Sequence, residues 1–163
     1  MKLIWAGLVL AIASLCGAFD ETSDARKAIE ARFALVSKAF AAKDVKLFES
    51  TFTTDFKSKA PGKPIASRAE VFKDFEAQMK VMNSVKWTQK IKSFKLDKGV
   101  AFVGFDSELK SKVDGDDGKQ HDFRLASKTK NEWVKGQNGW QVRYSESLEL
   151  KMWLDGEELK SGG

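Results

Sequence analysis

The sequence is poor in the residues that carry most thiol, imidazole and metal chemistry. Its 163 residues include one cysteine and one histidine. The cysteine, Cys16, lies in an apolar N-terminal run, so the rest of the chain has no thiol for a disulfide, a nucleophile or a zinc site. The single histidine, His121, has no second imidazole with which to share a metal and is expected at the surface. We therefore predict no metal site and no cofactor.

Motifs for phosphate binding and for serine nucleophiles are also missing. Neither G-x-x-x-x-G-K-[ST] nor G-x-S-x-G occurs in the sequence. The acidic loop at residues 114–118 lacks the full spacing and the distal glutamate of a calcium-binding loop, so it is expected to be a plain hairpin loop. The net charge of +5 is only mildly basic, and acidic side chains are interleaved with the lysines. No nucleic-acid partner is therefore predicted.

Only the N-terminus carries a long apolar run. Residues 3–15 are too few to span a bilayer comfortably, and they are followed by the small residues Cys16 and Ala18. This pattern predicts a signal peptide over residues 1–18 and export to the periplasm or the medium. Lipoprotein processing at Cys16 is disfavoured by Leu15, because a small residue is expected there. After removal of the signal, no membrane anchoring is predicted.

Residues 19–163 are predicted to form one domain, with its core at about residues 25–150 and a polar tail. Apolar residues at helical spacing predict a helix over residues 22–42. Asp44 is placed to cap a second, short helix. Ser67 and the glutamate three residues later form a capping box that opens a third helix. Between the second and third helices, alternating residues predict a short strand.

The second half of the domain alternates between apolar and polar residues and is predicted to be an antiparallel sheet. Its strongest turn signal is Asn138-Gly139, which is typical of a two-residue type I′ turn. The predicted cross-strand pairs are Trp133 with Tyr144, Asn131 with Glu146 and Thr129 with Leu148. A one-residue slip would reverse every side chain. This register therefore places Asn131, Tyr144 and Glu146 together on the inner face.

A second hairpin gives an independent check on that inner face. Residues 101–113 alternate in the same way, and the loop at 114–118 joins them to the next strand. The predicted pairs are Val103 with Thr129 and Leu109 with Phe123. The inner faces obtained from the two hairpins agree. A change of phase near Ser93 predicts a β-bulge in the preceding strand.

Three helices followed by such a sheet predict an α+β fold, because helices can cover only one face of the strands. The predicted architecture is a cone-shaped, strongly curved antiparallel sheet with the helices on its concave face. Three segments within about residues 25–150 carry a family resemblance: Phe52-Thr53-Thr54-Asp55-Phe56, Glu132-Trp133-Val134-Lys135 and Asn138-Gly139-Trp140-Gln141-Val142. With this element order, the chain resembles the nuclear transport factor 2-like superfamily of cystatin-like folds, and more closely its SnoaL-like group.

The resemblance implies a deep pocket between helices and sheet. Members of the superfamily include isomerases, cyclases, dehydratases, ligand-binding proteins and association domains, so a shared fold does not define a shared reaction. Many members have histidines late in the last strand, but residues 143–147 contain none. Glu146 and Asp55 are therefore the candidates for a general base. The predicted pocket-lining residues are Trp87, Phe105, Thr129, Asn131, Trp133 and Tyr144.

Three functions remain open from the sequence. The first is binding of a small, largely apolar molecule that Asn131, Tyr144 and Glu146 orient. The second is isomerase- or cyclase-type catalysis with Glu146 or Asp55 as the base. The third is an interaction module whose inward aromatic residues fill the cone. Because the outer face is charged, we do not expect a large hydrophobic interface, and the chain is predicted to be a monomer or a weak homodimer.

Overall fold

The computed structural model of the protein describes residues 6–159, with side-chain environments for residues 20–159. The helices are α1 (Ala6–Ala42), α2 (Val45–Glu49) and α3 (Arg68–Val81). The strands are β1 (Phe52–Lys59), β2 (Ala66–Ser67), β3 (Met82–Asp97), β4 (Val100–Asp114), β5 (Gln120–Gly136), β6 (Gly139–Leu154) and β7 (Glu157–Leu159). The predicted signal peptide, residues 1–18, lies outside the part with described side chains. None of the helices in the described part is long and apolar enough to cross a membrane.

The strands form one sheet in the order β2-β1-β6-β5-β4-β3, and β7 pairs with β6. Strand β1 runs parallel to β6, whereas all other pairings are antiparallel. The four long strands are antiparallel as predicted, whereas the short β1 makes the sheet a mixed one. The predicted α+β class, with three helices and a strongly curved sheet, is confirmed.

Helices α2 and α3 begin next to the capping residues that the sequence predicts. At α2, Asp44 Oδ1 accepts a hydrogen bond from the Leu47 N–H at 2.9 Å. At α3, the Glu70 carboxylate accepts a hydrogen bond from the Ser67 N–H at 2.7 Å, and Ser67 Oγ accepts one from the Glu70 N–H at 3.4 Å. These contacts satisfy backbone donors that have no partner inside a helix. Helix α1 extends further toward the N-terminus than the predicted start at residue 22.

Aromatic side chains join the helices to the concave face. The ring of Phe33 in α1 lies 4.9 Å from the ring of Phe105 and 5.4 Å from that of Trp133. Helices α2 and α3 meet through Phe48 and Phe75, whose rings stack at 3.9 Å. Aromatic pairs in such geometries add about 0.5–1.5 kcal/mol beyond the burial of their area. These contacts therefore position all three helices on the same face of the sheet.

The β4–β5 pairing differs from the prediction by two residues. Leu109 pairs with Leu125 instead of Phe123, because Asp114 continues the strand and pairs with Gln120. Likewise Val103 pairs with Asn131 instead of Thr129. Side chains alternate with a period of two, so an even shift leaves each of them on its predicted face. The predicted bulge in β3 is confirmed by a shift of register between Ile91 and Ser93.

The predicted turn of the β5–β6 hairpin is wrong. The residues at the turn are Gln137 and Asn138, since Gly136 pairs with Gly139. Gly139 then has a φ of +86°, in the left-handed region that favours glycine. A turn followed by a left-handed glycine is the usual form of a three-residue hairpin loop. The turn therefore lies one residue earlier than the type I′ turn that the sequence predicts.

Two bulges in β6 then decide which way its side chains point. An extra residue, Arg143, lies between the pair of Trp133 with Val142 and the pair of Glu132 with Tyr144. A second shift of register follows in the middle of β6. One extra residue reverses the alternation of side chains, and a second restores it. The segment between the two bulges is therefore turned over relative to the prediction.

This reversal changes the neighbours of the predicted site residues. Asn131 faces Ser145, and not Glu146 as predicted. Glu146 faces Lys130 on the outer face, and Tyr144 also lies on that side. The prediction that Tyr144 and Glu146 point into the concavity is therefore wrong.

Candidate functional site

Three of the predicted pocket residues belong to the packed core. Trp133 has no exposed surface and Phe105 is 5% exposed, and Phe33 of α1 packs against both rings. Trp87 is half-buried, with its ring 4.8 Å from that of Phe40. This part of the concave face is therefore covered by aromatic side chains of α1.

The two predicted general bases lie on the outer face. The Glu146 carboxylate lies 3.1 Å from Lys59 Nζ, and the hydrogen bond and charge of Glu146 raise the pKa of Lys59. Asp55 is exposed and lines a shallow outer hollow together with Tyr144. Neither carboxylate therefore faces the helix-covered side, where the resemblance places a pocket.

Small polar side chains occupy the middle of the concave face, and both predicted residues Thr129 and Asn131 are buried there. Ser127 Oγ lies 2.8 Å from Ser107 Oγ and 3.1 Å from Thr129 Oγ1. Asn131 Oδ1 differs, because it is buried and has no hydrogen-bond partner among the described residues. A buried acceptor without a partner costs about 1–3 kcal/mol. This atom is therefore a candidate for contact with a ligand.

The pairing of three strands places Asn131 in a row with two serines. Asn131 pairs with Ser145 of β6, and Ser145 pairs with Ser58 of β1. Paired residues point to the same face of a sheet, and neighbouring strands lie about 4.7–4.9 Å apart. We refer to Ser58, Ser145 and Asn131 as the concave polar row.

The end of this row at Ser58 reaches a pocket of about 380 Å³ between α3, the end of β1 and the loop that follows. We call it the mouth pocket; its aromatic side is formed by Phe40, Phe48 and Phe75, and Ser58, Ala60, Lys63, Asp74 and Gln78 also line it. The ring of Phe40 lies 5.4 Å from that of Phe48 and 5.1 Å from that of Phe75. The pocket thus combines a rigid apolar wall with a few polar groups, as small-molecule sites do.

Ser58 and Ser145 were not among the predicted site residues. The predicted register placed Ser145 on the outer face, and the parallel pairing of β1 with β6 was not foreseen. The available signal was the alternation of Ser145 and Ser147, which share a face in either register. That signal is weak, because serine is common on both faces of a half-buried sheet.

His121 lies near the N-terminal end of β5, far along the strand from Asn131. It forms a charged contact that is separate from the concave polar row. Its Nδ1 lies 2.6 Å from Asp155 Oδ2, and its Nε2 lies 3.1 Å from Asp117 Oδ1. The hydrogen bond to Asp155, followed by that to Asp117, raises the pKa of His121. The contact joins the β4–β5 loop to the β6–β7 turn. In the described part of the chain, no group of three His, Cys, Asp or Glu side chains is arranged to hold a metal ion.

A strongly curved sheet around three helices defines the cone-shaped class of α+β domains. This is the fold of the nuclear transport factor 2-like superfamily. A protein of that superfamily from Salmonella enterica is 15% identical over 87% of this chain and 97% of its own, with a TM-score of 0.61. A protein from Novosphingobium aromaticivorans, provisionally assigned as a scytalone dehydratase, is 15% identical over 86% of this chain and 95% of its own, with a TM-score of 0.69.

A ketosteroid isomerase-like protein from Erwinia carotovora is 21% identical over 76% of this chain and 95% of its own, with a TM-score of 0.56. Identities this low show the fold and not the reaction. No protein-family model matches the sequence, and no curated protein is significantly similar to it. The narrower resemblance to the SnoaL-like group stays a prediction.

Proposed function

We propose that the protein binds a small, largely apolar molecule in the mouth pocket, with the concave polar row orienting it. The observation that carries this proposal is the buried Asn131 Oδ1, an acceptor without a partner among the described residues. Asn131 lies in one row with Ser58, which lines the mouth pocket. Asn131 does not itself line the mouth pocket, so only a ligand that extends along the row past Ser58 and donates a hydrogen bond to Asn131 Oδ1 would remove the cost of the unpaired acceptor.

The shape and chemistry of the pocket narrow the ligand class. The volume of about 380 Å³ falls at the lower end of small-molecule sites, which span roughly 300–1,000 Å³. The stacked rings of Phe48 and Phe75 favour a flat apolar body. The proposed ligand is therefore a compact ring compound with a hydroxyl or amide donor at one end.

The solved structures with this fold include proteins named as isomerase-like and dehydratase-like, which is compatible with a site for a small organic molecule. The isomerase or cyclase alternative is less well supported, because Glu146 lies on the outer face next to Lys59. The alternative of a pocketless module is favoured by one observation: Phe33 covers Phe105 and Trp133 on the concave face. The ligand-binding hypothesis and the hypothesis of a pocketless module differ in whether the mouth pocket binds a ligand.

The proposed setting of this activity is outside the cytoplasm. The support is the sequence of residues 1–18, a short positive start and an apolar run followed by small residues. A binding protein without structural thiols suits an oxidising compartment, because it needs no control of its redox state.

The proposal is tested with naphthol, a neutral two-ring molecule with one hydroxyl donor, titrated into the protein by isothermal calorimetry. Ala60→Trp places an indole in the mouth pocket and should weaken naphthol binding by at least about tenfold. Ile65→Trp is the matched control, because it adds the same indole to the same loop at a side chain that is 56% exposed. Asn131→Leu should weaken binding by about threefold to tenfold through the loss of one hydrogen bond.

Equal effects of the two tryptophan variants would contradict the proposal, as would a failure of naphthol to bind. Native mass spectrometry of the protein purified from its own host provides a second test. We expect an added mass that is present in the native protein and absent from the Ala60→Trp variant. Retention of that mass in the variant would place the ligand elsewhere.

A further inference from the structure

A hollow separate from the shallow one that Asp55 lines also lies on the outer face of the sheet, away from the helices. This outer groove has a volume of about 380 Å³ and crosses β3, β4, β5 and β6. The residues that define it here are Ser93, Phe102, Gly104, Lys130, Tyr144 and Glu146. An outer sheet face is expected to be a solvated, convex surface, so a hollow of this size needs a structural cause.

Two irregularities of the sheet flank the groove. Strand β3 shifts its register between Ile91 and Ser93, and β6 carries the extra residue Arg143. A bulge bends its strand and increases the local twist. Between the two bulges, Gly104 of β4 has no side chain, and Ser93 Oγ occupies the space that a Cβ at Gly104 would need. The floor of the groove is therefore the Gly104 backbone with the Ser93 hydroxyl lying on it.

Lys130 is the cation of the groove that no carboxylate neutralises. Its cross-strand neighbour Glu146 pairs with Lys59 at 3.1 Å. Glu132, which points to the same face two residues further along β5, pairs with Arg143 at 3.0 Å. Lys130 has no ion pair of its own among the side chains that the structure describes. The groove thus presents one uncompensated positive charge, which favours an anion.

Aromatic surface lies next to this charge. Phe102 lies two residues before Gly104 on β4, points to the same face and is 41% exposed. Tyr144, the single tyrosine of the chain, lines the opposite end of the groove. A flat ring next to the Ser93 hydroxyl would cover the exposed edge of Phe102 and remove apolar surface from water.

We propose that the outer groove binds a small aromatic carboxylate. The carboxylate accepts a hydrogen bond from Lys130 Nζ, and the ring packs against Phe102, on the Ser93 hydroxyl that covers Gly104. Lys130 alone is an ordinary surface lysine, and Phe102 alone is an isolated exposed ring. Their position next to a floor formed only by the Gly104 backbone and the small Ser93 side chain is what makes a site. This site lies on the opposite face of the sheet from the mouth pocket and does not depend on it.

The test is a titration of the full chain with naphthoate, followed by the ¹H–¹⁵N NMR signals of its backbone. The Gly104 and Lys130 amide signals should shift saturably with naphthoate. Naphthalenemethanol, the neutral analogue, should bind at least about tenfold more weakly. Lys130→Gln should weaken naphthoate binding about tenfold, as expected for a charge-assisted hydrogen bond. Lys128→Gln is the matched control, because Lys128 lies on the same face of β5 but is held by Glu149 at 2.7 Å.

Three results would overturn the proposal. The first is the absence of a saturable shift with naphthoate, and the second is an equal loss of affinity in Lys130→Gln and Lys128→Gln. The third is a loss of naphthoate binding in Ala60→Trp, since this would assign naphthoate to the mouth pocket. Gly104→Leu, which fills the floor, should abolish binding. If that variant does not fold, the pair of lysine variants still decides the outcome.

Discussion

On the concave face of the sheet Trp133 has no exposed surface, whereas Phe102 on the outer face of the neighbouring strand is 41% exposed. The concave face is joined to α1 by aromatic contacts, such as that between Phe33 and Trp133 at 5.4 Å. The outer face instead carries ion pairs between partly exposed side chains, such as Lys92 with Asp106 at 3.1 Å.

This difference separates the face that supplies most of the stability from the face whose side chains can vary. Truncation of a buried aromatic side chain costs about 3–5 kcal/mol, whereas exposed ion pairs contribute about 0–1 kcal/mol each. Side chains on the concave face should therefore be sensitive to substitution, and those on the outer face should tolerate it. The outer face is consequently free to vary its charges and rings for binding.

The largest effect is expected from Trp133→Ala. Removing a fully buried indole that contacts Phe33 should lower the free energy of unfolding by about 3–5 kcal/mol. Phe102→Ala, the matched substitution on the outer face, should lower it by less than about 1 kcal/mol. Urea unfolding followed by circular dichroism measures both values. Similar losses in the free energy of unfolding of the two variants would contradict the proposed difference in stability between the two faces.

An intermediate effect on the free energy of unfolding, of opposite sign, is expected from Asn131→Leu. Leucine has a similar shape and removes the buried Oδ1 that lacks a partner, so the free energy of unfolding should rise by about 1 kcal/mol. Thermal unfolding of the ligand-free protein measures the change. A marked destabilisation would mean that the amide is satisfied in the folded protein, and that it does not await a ligand.

A smaller effect on stability, which depends on pH, is expected at His121 at the end of the sheet. Its pKa is raised in the folded state, so the contact stabilises fully below the unfolded-state pKa near 6.5 and is lost as the pH rises through the folded-state value. The lowered pKa values of Asp117 and Asp155 make the same contact weaken again in acid.

Urea midpoints measured between about pH 5 and about pH 9 should therefore fall toward the alkaline end of that range. The chain has one histidine, so His121→Gln should remove this dependence. A profile that His121→Gln leaves unchanged would refute the assignment.

The smallest effect is expected from Glu146→Gln. Glu146 and Lys59 are 33% and 46% exposed and their contact is screened by solvent, so the free energy of unfolding should change by less than about 0.5 kcal/mol. The same variant tests the reversed register of β6. A loss of several kcal/mol would indicate that Glu146 is buried on the concave face, as the sequence predicts.

Much of the fold could be predicted because the relevant signals are local. The cap at Asp44 and the capping box at Ser67 act within one helical turn. The faces of β4 and β5 follow from apolar alternation, and they survive an error of two residues in the pairing. The prediction that Phe105, Thr129 and Asn131 lie on the concave face is correct for this reason.

The candidate site could be predicted only in part. Asn131 and Thr129 face the concavity as expected, but Ser58 and Ser145 replace Tyr144 and Glu146 as their neighbours there. The mouth pocket also depends on the approach of α3 to the end of β1. No local pattern records such an approach, because it brings together residues that are distant in sequence.

Hydrophobic periodicity and capping are properties of neighbouring residues, so the three helices, the order of the long strands and the apolar faces of β4 and β5 follow from the amino-acid sequence. The orientation of residues 143–147 depends instead on contacts between distant parts of the chain. That segment reads Arg-Tyr-Ser-Glu-Ser, and neither set of alternating side chains is apolar enough to require burial. Strand β6 pairs with both β5 and β1, and the bulge at Arg143 in this pairing determines the face of the sheet on which Glu146 lies.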